Sequence, residues 1–179
     1  AALRNGLYAD FSPKPIPGEA GNGMHINMSV KSDDGVDKSP AFLAGVLAHV
    51  REITVFLNPT ERSYLRLGEH KAPRYITWSP ENRSQLVRIP AAKVEYQRIE
   101  LRSPDPMANP YLAYALLIHA GLDGIRKGMT PPPPVNENLY TAPESLTHTL
   151  EQLPRSLEEA KEIARSSPFV ASILPAAML

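Results

Sequence analysis

Histidine, glutamate and several arginines are the residues of this chain whose positions favour chemistry on anionic ligands. His25 lies in residues 22–30, where apolar and polar residues alternate, so it shares the polar face of a predicted strand with Asn27 and Ser29. A histidine on that face meets ligand or water. His25 is therefore a candidate metal ligand, although a lone histidine more often has no such role.

Glu100 is a second candidate metal ligand, because Arg98 and Arg102 flank it two residues away on either side of a predicted strand. A carboxylate between two guanidinium groups suits an anionic ligand or a hard cation. A salt-bridge ladder between strands gives the same pattern without any ligand. Arg83 and Arg88 add two guanidinium groups, and strict alternation puts them on opposite faces unless Arg83 precedes the strand or a bulge intervenes.

A glycine-rich turn joins Lys14 to the strand that carries His25. Its glycines, Gly21 among them, would let backbone N–H groups approach a phosphate or a carboxylate. Residues 21–23 also have the composition of an ordinary turn, and both interpretations stay open at this point. Together with Arg66 and the other arginines, these residues predict a cationic cleft with metal-binding capacity, which suits phosphoryl transfer between two anions.

Alternating and helical patterns define the elements that must position these residues. Alternation predicts strands at residues 22–30, 74–79, 84–90 and 95–103. Helical spacing predicts helices at residues 40–57, 110–125 and 157–165, with Ser39, Asn109 and Ser156 as their N-caps. The order of these elements predicts an α+β fold with a largely antiparallel sheet and helices packed on one face.

The amino-acid composition indicates which classes of partner the chain favours. The 19 lysines and arginines balance the 19 aspartates and glutamates, so no bulk charge favours nucleic acid or an anionic membrane as partner. The apolar stretch at residues 111–122 is too short to span a bilayer. The absence of cysteine excludes disulfides and thiolate metal sites and fits a cytoplasmic location without proving one. We therefore expect one domain with small-molecule or protein partners.

Blocks of residues along nearly the whole chain resemble the glutamine synthetase family in its class I form of bacteria and archaea. Residues 14–29 are similar to the ATP-binding signature of that family. Further blocks of the family follow in order at residues 58–67, 72–73, 79–90, 98–106, 109–112 and 120–125. The resemblance implies that residues 1–179 are the C-terminal portion of a catalytic domain, with the first part of that domain and an N-terminal β-grasp domain absent.

The resemblance implies formation of γ-glutamyl phosphate from ATP and glutamate, followed by attack of ammonia to give glutamine. Mg²⁺ or Mn²⁺ would be the cofactor, bound by His25 and Glu100. The other implied roles are contact with glutamate by Gly21, Arg66 and Arg102, contact with the nucleotide by Lys14, Ser29 and Arg88, and contact with the transferring phosphoryl group by Arg83. Family members form double hexameric rings, so the full-length protein is expected to be a homododecamer, while the state of the fragment stays open.

Three departures from the family pattern bear on the activity. Ala20 stands where the family usually has asparagine. Lys71 stands at the position of the flap glutamate that takes a proton from ammonium, and Glu69 would replace that glutamate if the loop is one residue shorter. The family's other metal-binding carboxylates lie upstream, so we expect these residues alone to be inactive.

Two alternative functions stay open at the level of sequence. The first is a ligase of the same superfamily that joins glutamate to another amine or a polyamine, and the second is a non-catalytic structural homologue. Tyr140 also resembles a tyrosine that is adenylylated in some family members, although the residues that follow it differ from the usual context.

Overall fold

The computed structural model describes residues 1–91 and 97–178. The described strands are β1 (Ile26–Met28), β2 (Trp78–Ser79), β3 (Val87–Arg88) and β4 (Ile99–Leu101). The described α-helices are α1 (Ser39–Leu57), α2 (Glu61–Arg66), α3 (Pro110–Arg126), α4 (Glu144–Thr147), α5 (Leu157–Ser166) and α6 (Pro168–Ala171). Single turns of 3-10 helix lie at Ala2–Asn5 and Ala176–Met178. The predicted α+β class is confirmed.

The four described strands form one mixed sheet in the order β1-β4-β3-β2. β4 is antiparallel to both β1 and β3, whereas β2 and β3 are parallel, so the prediction of a largely antiparallel sheet needs this correction. The parallel pair arises because the chain between β2 and β3 forms turns instead of a tight hairpin. The hydroxyl of Ser79 accepts from the N–H of Asn82, and the Asn82 side chain accepts from the N–H of Ser84.

The register of the sheet separates apolar from polar side chains. Ile26 and Val87 are both paired with Leu101, and all three belong to the hydrophobic core that the helices share. Asn27 and Arg88 are both paired with Glu100, so they lie on the opposite face. The helices thus cover the apolar face, as predicted, and the polar face is left for the candidate site.

The strands are shorter than the alternating patterns predict. The N–H of Met24 still donates to the carbonyl of Pro104 at 2.8 Å, but proline has no N–H to return, so the regular ladder ends before residue 26. Tyr75 forms an isolated bridge with Gln152 instead of extending β2. The first residues of the predicted strand 95–103 lie outside the described residues.

The three predicted helices match α1, α3 and α5 to within one residue at each end. Asn109 and Ser156 cap α3 and α5 with their side chains, as predicted. Ser39 is not the cap of α1, because it lies inside the helix and Lys38 precedes it without a capping side chain. Instead, the carboxylate of Asp37 accepts from the N–H of Ser39 at 2.9 Å.

Helices α1 and α3 form the centre of the core. Among the described residues, α1 is the one helix long and apolar enough, by length and composition, to cross a membrane. Val46, Val50 and Ile53 on α1 are fully buried in the shared core. A core helix of a globular domain has the same properties, so α1 is no argument for a membrane span.

Candidate active site

A cavity of about 400 Å³ brings together residues from three distant parts of the sequence. Its lining includes the predicted site residues Gly21, His25, Arg66, Glu69 and Arg102, together with Ala20 and Lys71. A larger cavity of about 480 Å³ beside Tyr140 contains none of the predicted site residues. The chemistry of the lining therefore favours the smaller cavity as the candidate active site.

Glu100 is the centre of the charged cluster beside this cavity. Its Oε1 accepts from Nη1 of Arg102 at 2.6 Å, and its Oε2 accepts from Nη1 of Arg88 at 3.4 Å. Nδ1 of His25 lies 3.4 Å from the same Oε1. The antiparallel register of β1, β3 and β4 produces this cluster, because it places the polar face of each strand side by side. Arg88 and Arg102 therefore bind one carboxylate from two strands.

His25 and Glu100 have the chemistry of metal ligands. Burial is the largest cause that lowers the pKa of His25, the charges of Arg102 and Arg66 lower it further, and Glu100 opposes them. The neutral imidazole that results is the form that binds a metal ion. The residues present therefore fit a divalent cation as two donors of its shell. Among residues 1–91 and 97–178, no group of three or more such donors is close enough to hold the ion alone.

Arg66 forms the buried wall of the cavity. Thr60 and Ser63 make a capping box that begins α2, and Arg66 is the last residue of that short helix. Its Nη1 donates to the carbonyl of Ser103 at 2.7 Å, and its Nη2 donates to the carbonyl of Arg102 at 3.3 Å. No local pattern predicts this anchoring role, although Thr60 and Ser63 could have revealed the helix. A guanidinium group has further N–H donors, which are left for a ligand.

The loop after α2 is fastened to the glycine-rich segment at two points. Nζ of Lys14, which is buried, lies 2.8 Å from Oε2 of Glu69, and this contact lowers the pKa of Glu69. Nε2 of His70, a residue with φ of 50°, lies 2.8 Å from the carbonyl oxygen of Gly18. The predicted nucleotide ligand Lys14 and the predicted proton acceptor Glu69 are thus partners of each other.

Two predicted site residues lie apart from this cavity. Arg83 is exposed and belongs to the turn before β3, so it precedes the strand, which was one of the two ways to reconcile it with Arg88. Ser29 is exposed one residue after β1. Neither residue lines the candidate active site. The contact of Arg83 with the transferring phosphoryl group and the contact of Ser29 with the nucleotide stay predictions.

The α+β domain places a glycine-rich loop beside an arginine-bound carboxylate and a histidine whose pKa is lowered, and these groups suit an anionic ligand and a metal ion. A model of the glutamine synthetase catalytic domain matches residues 1–179, so the chain belongs to the glutamine synthetase catalytic-domain family. The family resemblance seen in the sequence is thereby confirmed.

Known proteins of the family match nearly all of this chain. It is 42% identical to a glutamine synthetase of Methanosarcina mazei and 41% identical to one of Thermus thermophilus, in each case over 97% of this chain and 42% of the relative. A solved structure of a GmaS/ADP complex has a TM-score of 0.83 and 35% identity, covering 98% of this chain and 44% of that chain. The chain therefore spans less than half the length of these relatives.

Proposed function

We propose that the protein containing this chain is an ATP-dependent ligase that joins glutamate to ammonia through γ-glutamyl phosphate and forms glutamine. The observation that carries the proposal is the shared cavity, in which Gly21, His25, Arg66 and Arg102 come together from separate segments. The name of the curated relatives supports ammonia as the acceptor.

The chemistry divides into two steps. A γ-carboxylate oxygen of glutamate attacks the terminal phosphorus of ATP, and ADP leaves. The nitrogen of ammonia then attacks the γ-carbonyl carbon, phosphate leaves with the bonding electrons, and Glu69 accepts a proton. A bound Mg²⁺ or Mn²⁺, held in part by His25 and Glu100, supplies positive charge that offsets the charge on the phosphoryl oxygens.

The chain's own residues bind and orient the substrates. N–H donors of Arg66 and Arg102 bind the carboxylates of glutamate, and the backbone carbonyl of Gly21 accepts from its amino group. Arg83 contacts the transferring phosphoryl group. The nucleotide ligands in this proposal are Lys14, Ser29 and Arg88. Guanidinium groups aimed at developing negative charge are an effective means of lowering the barrier to phosphoryl transfer.

The proposal extends to the organisation of the protein. Residues 1–179 are proposed to be the C-terminal portion of a catalytic domain, and the remaining metal carboxylates are proposed to come from a longer chain. The span of 42% of the curated relatives and the two-donor metal set support this. We propose that the full-length protein is a cytoplasmic homododecamer without nucleic acid or membrane as partner, in keeping with the balanced charge of the chain.

Lys71, which stands where the family has its flap glutamate, leaves a second candidate function, in which another amine or a polyamine replaces ammonia. This residue lies in the lining of the same cavity, beside Glu69. A third candidate, a non-catalytic homologue, predicts that neither ATP nor Mn²⁺ binds. Calorimetry with both ligands on the full-length protein separates that candidate from the two ligases, because both ligases need the nucleotide.

Trapping with hydroxylamine tests the activation of glutamate without assuming the acceptor, because hydroxylamine is a small neutral nucleophile that converts acyl phosphates to hydroxamates. The full-length protein with Mg²⁺ should form γ-glutamyl hydroxamate only when both ATP and glutamate are present. Arg102→Lys should reduce the rate roughly 100-fold, because lysine cannot make the bidentate contact. Arg126→Lys, at an exposed position on α3, is the matched control. Absence of ATP-dependent hydroxamate from the unmodified protein would reject the proposed activity.

A further inference from the structure

The candidate active site contains cations that its own carboxylates do not balance. Each carboxylate beside the cavity already has a cationic partner: Glu69 pairs with Lys14, and Glu100 pairs with Arg102. Lys71 lines the same cavity, and among residues 1–91 and 97–178 it has no hydrogen bond or ion pair. An ammonium group at the cavity without a protein partner is available to an anionic ligand.

The positions of the cations assign them to different parts of a ligand. Arg66 and Arg102 are buried, so they can hold a substrate only at the inner end of the cavity. Within the part of the chain that the structure describes, Arg66 also carries no direct ion pair, because its guanidinium group donates to backbone carbonyls and the carboxylate of Asp105 acts on it only through its charge. Lys71 is exposed, so it lies where a second substrate would enter.

We propose that Lys71 biases the choice of acceptor, so that an amine that carries a carboxylate, as a small amino acid does, is used at this site besides ammonia. The inference rests on the proposed function, in which Arg66 and Arg102 already hold glutamate. The ammonium group of Lys71 disfavours ammonium and cationic polyamines relative to neutral ammonia, whereas the carboxylate of an amino acid pairs with it. A volume of about 400 Å³ lies in the range of pockets that hold small molecules, which leaves room for glutamate and a small second substrate.

The reaction stays balanced with this acceptor. The neutral amine nitrogen of the amino acid attacks the γ-carbonyl carbon and forms a C–N bond. The bond between that carbon and the oxygen attached to phosphorus breaks. Phosphate leaves with the electron pair, the nitrogen gives up one proton to Glu69, and the product is a γ-glutamyl amino acid. Lys71 makes no bond to the reacting atoms; it holds the carboxylate of the acceptor and thereby acts on specificity.

Glycine and glycinamide form a matched pair of acceptors for the test, because they differ only in whether the second group is a carboxylate or a neutral amide. The kcat/KM of each is measured with the full-length protein by the amount of γ-glutamyl product. The unmodified protein should prefer glycine by up to about fivefold, since a pair of opposite charges at an exposed site contributes at most about 1 kcal/mol. The amine of glycinamide is less basic and more often neutral, so each kcat/KM is expressed per concentration of the neutral amine.

Variants of Lys71 separate its charge from its size. Lys71→Met should bring the ratio of glycine to glycinamide close to one, and Lys71→Glu should invert it and improve use of ammonium and putrescine. Lys161→Met, at a lysine far along the sequence on α5, should leave the ratio unchanged. The rate of γ-glutamyl hydroxamate formation is measured in parallel, because hydroxylamine carries no charge for Lys71 to recognise.

The outcomes distinguish this inference from the proposed function. Hydroxamate formation together with a glycine preference that Lys71→Met removes would support both. Hydroxamate formation with a ratio of one or below in the unmodified protein, or a ratio that Lys71→Met leaves unchanged, would overturn the role of Lys71 alone. Absence of hydroxamate would overturn the proposed function and this inference with it.

Discussion

The helix pair α1/α3 and the charged cavity are held together by different forces. In the helix pair, Gly45 and Gly124 let the two backbones touch, and Gly121 makes room for the ring of Phe42. In the cavity, side chains such as Arg66 hold the walls by hydrogen bonds to backbone carbonyls. Stability should therefore depend on shape in the first region and function on charge in the second.

Gly45→Ala tests the shape-dependent region and should have the largest effect. A Cβ atom at this position would overlap the backbone carbonyl of Ala120, which cannot move aside as a flexible side chain can. We expect the free energy of unfolding, measured by urea denaturation, to fall by about 3 kcal/mol or more, at the upper end of overpacking effects. Ala48→Ser, at an exposed position on the same helix, should change it by less than about 0.5 kcal/mol. A stable Gly45→Ala protein would show that the helices can separate without cost.

The helix pair was also the region that the sequence predicted best. Helical spacing is a local signal, and so is Asn109 followed by a proline. The positions of α1 and α3 could therefore be predicted from neighbouring residues alone. The polar face of β1 and β4 was predicted equally well, because alternation is local too. The lengths of the strands were not predicted, because they depend on distant partners. Pro104, for example, has no N–H and cannot complete the hydrogen-bond ladder between the strands.

The contacts that shape the cavity could not be predicted from local patterns. Lys14 and Glu69 are 55 residues apart in the chain, and the carbonyls that Arg66 binds are 36 and 37 residues away. The family resemblance proposed ligands for these side chains but gave no partners within the chain. Charged residues in such sites contact residues far away in the sequence, and a periodic pattern contains no information on such contacts. Lys71 could therefore be recognised only as a departure from the family pattern.

Arg66 contributes to both stability and function, because it is both a structural anchor and a proposed ligand of glutamate. Arg66→Met leaves the carbonyls of Ser103 and Arg102 without their donor, so the free energy of unfolding should fall by about 1–3 kcal/mol. Arg66→Lys keeps the charge but loses the forked geometry, so it should lose hydroxamate formation with a smaller loss of stability. Arg126→Met is the control for removing an exposed arginine. If Arg66→Met unfolds at the same urea concentration as the unmodified protein, the carbonyl contacts do not contribute to stability.

Lys14→Met tests the charge of the candidate active site, because it should change a pH profile while leaving stability almost unchanged. The hydrogen bond and charge of Lys14 hold the pKa of Glu69 below its ordinary value, and Glu69 is exposed to solvent. Without Lys14 that pKa rises, so Glu69 takes up its proton at a higher pH. If Glu69 acts as a carboxylate in the transfer step, the acid limb of the rate of γ-glutamyl transfer to glycine must move to higher pH.

Two further variants decide whether Glu69 is the group that titrates. Lys161→Met removes a partly exposed lysine that pairs with Glu158 and should leave the acid limb in place. In the double variant Lys14→Met/Glu69→Gln the upward shift should vanish, because no carboxylate remains at residue 69 to respond to Lys14. If the acid limb moves equally in the single and the double variant, the group that titrates is not Glu69. The pH dependence of the candidate active site would then come from a residue outside the Lys14–Glu69 pair.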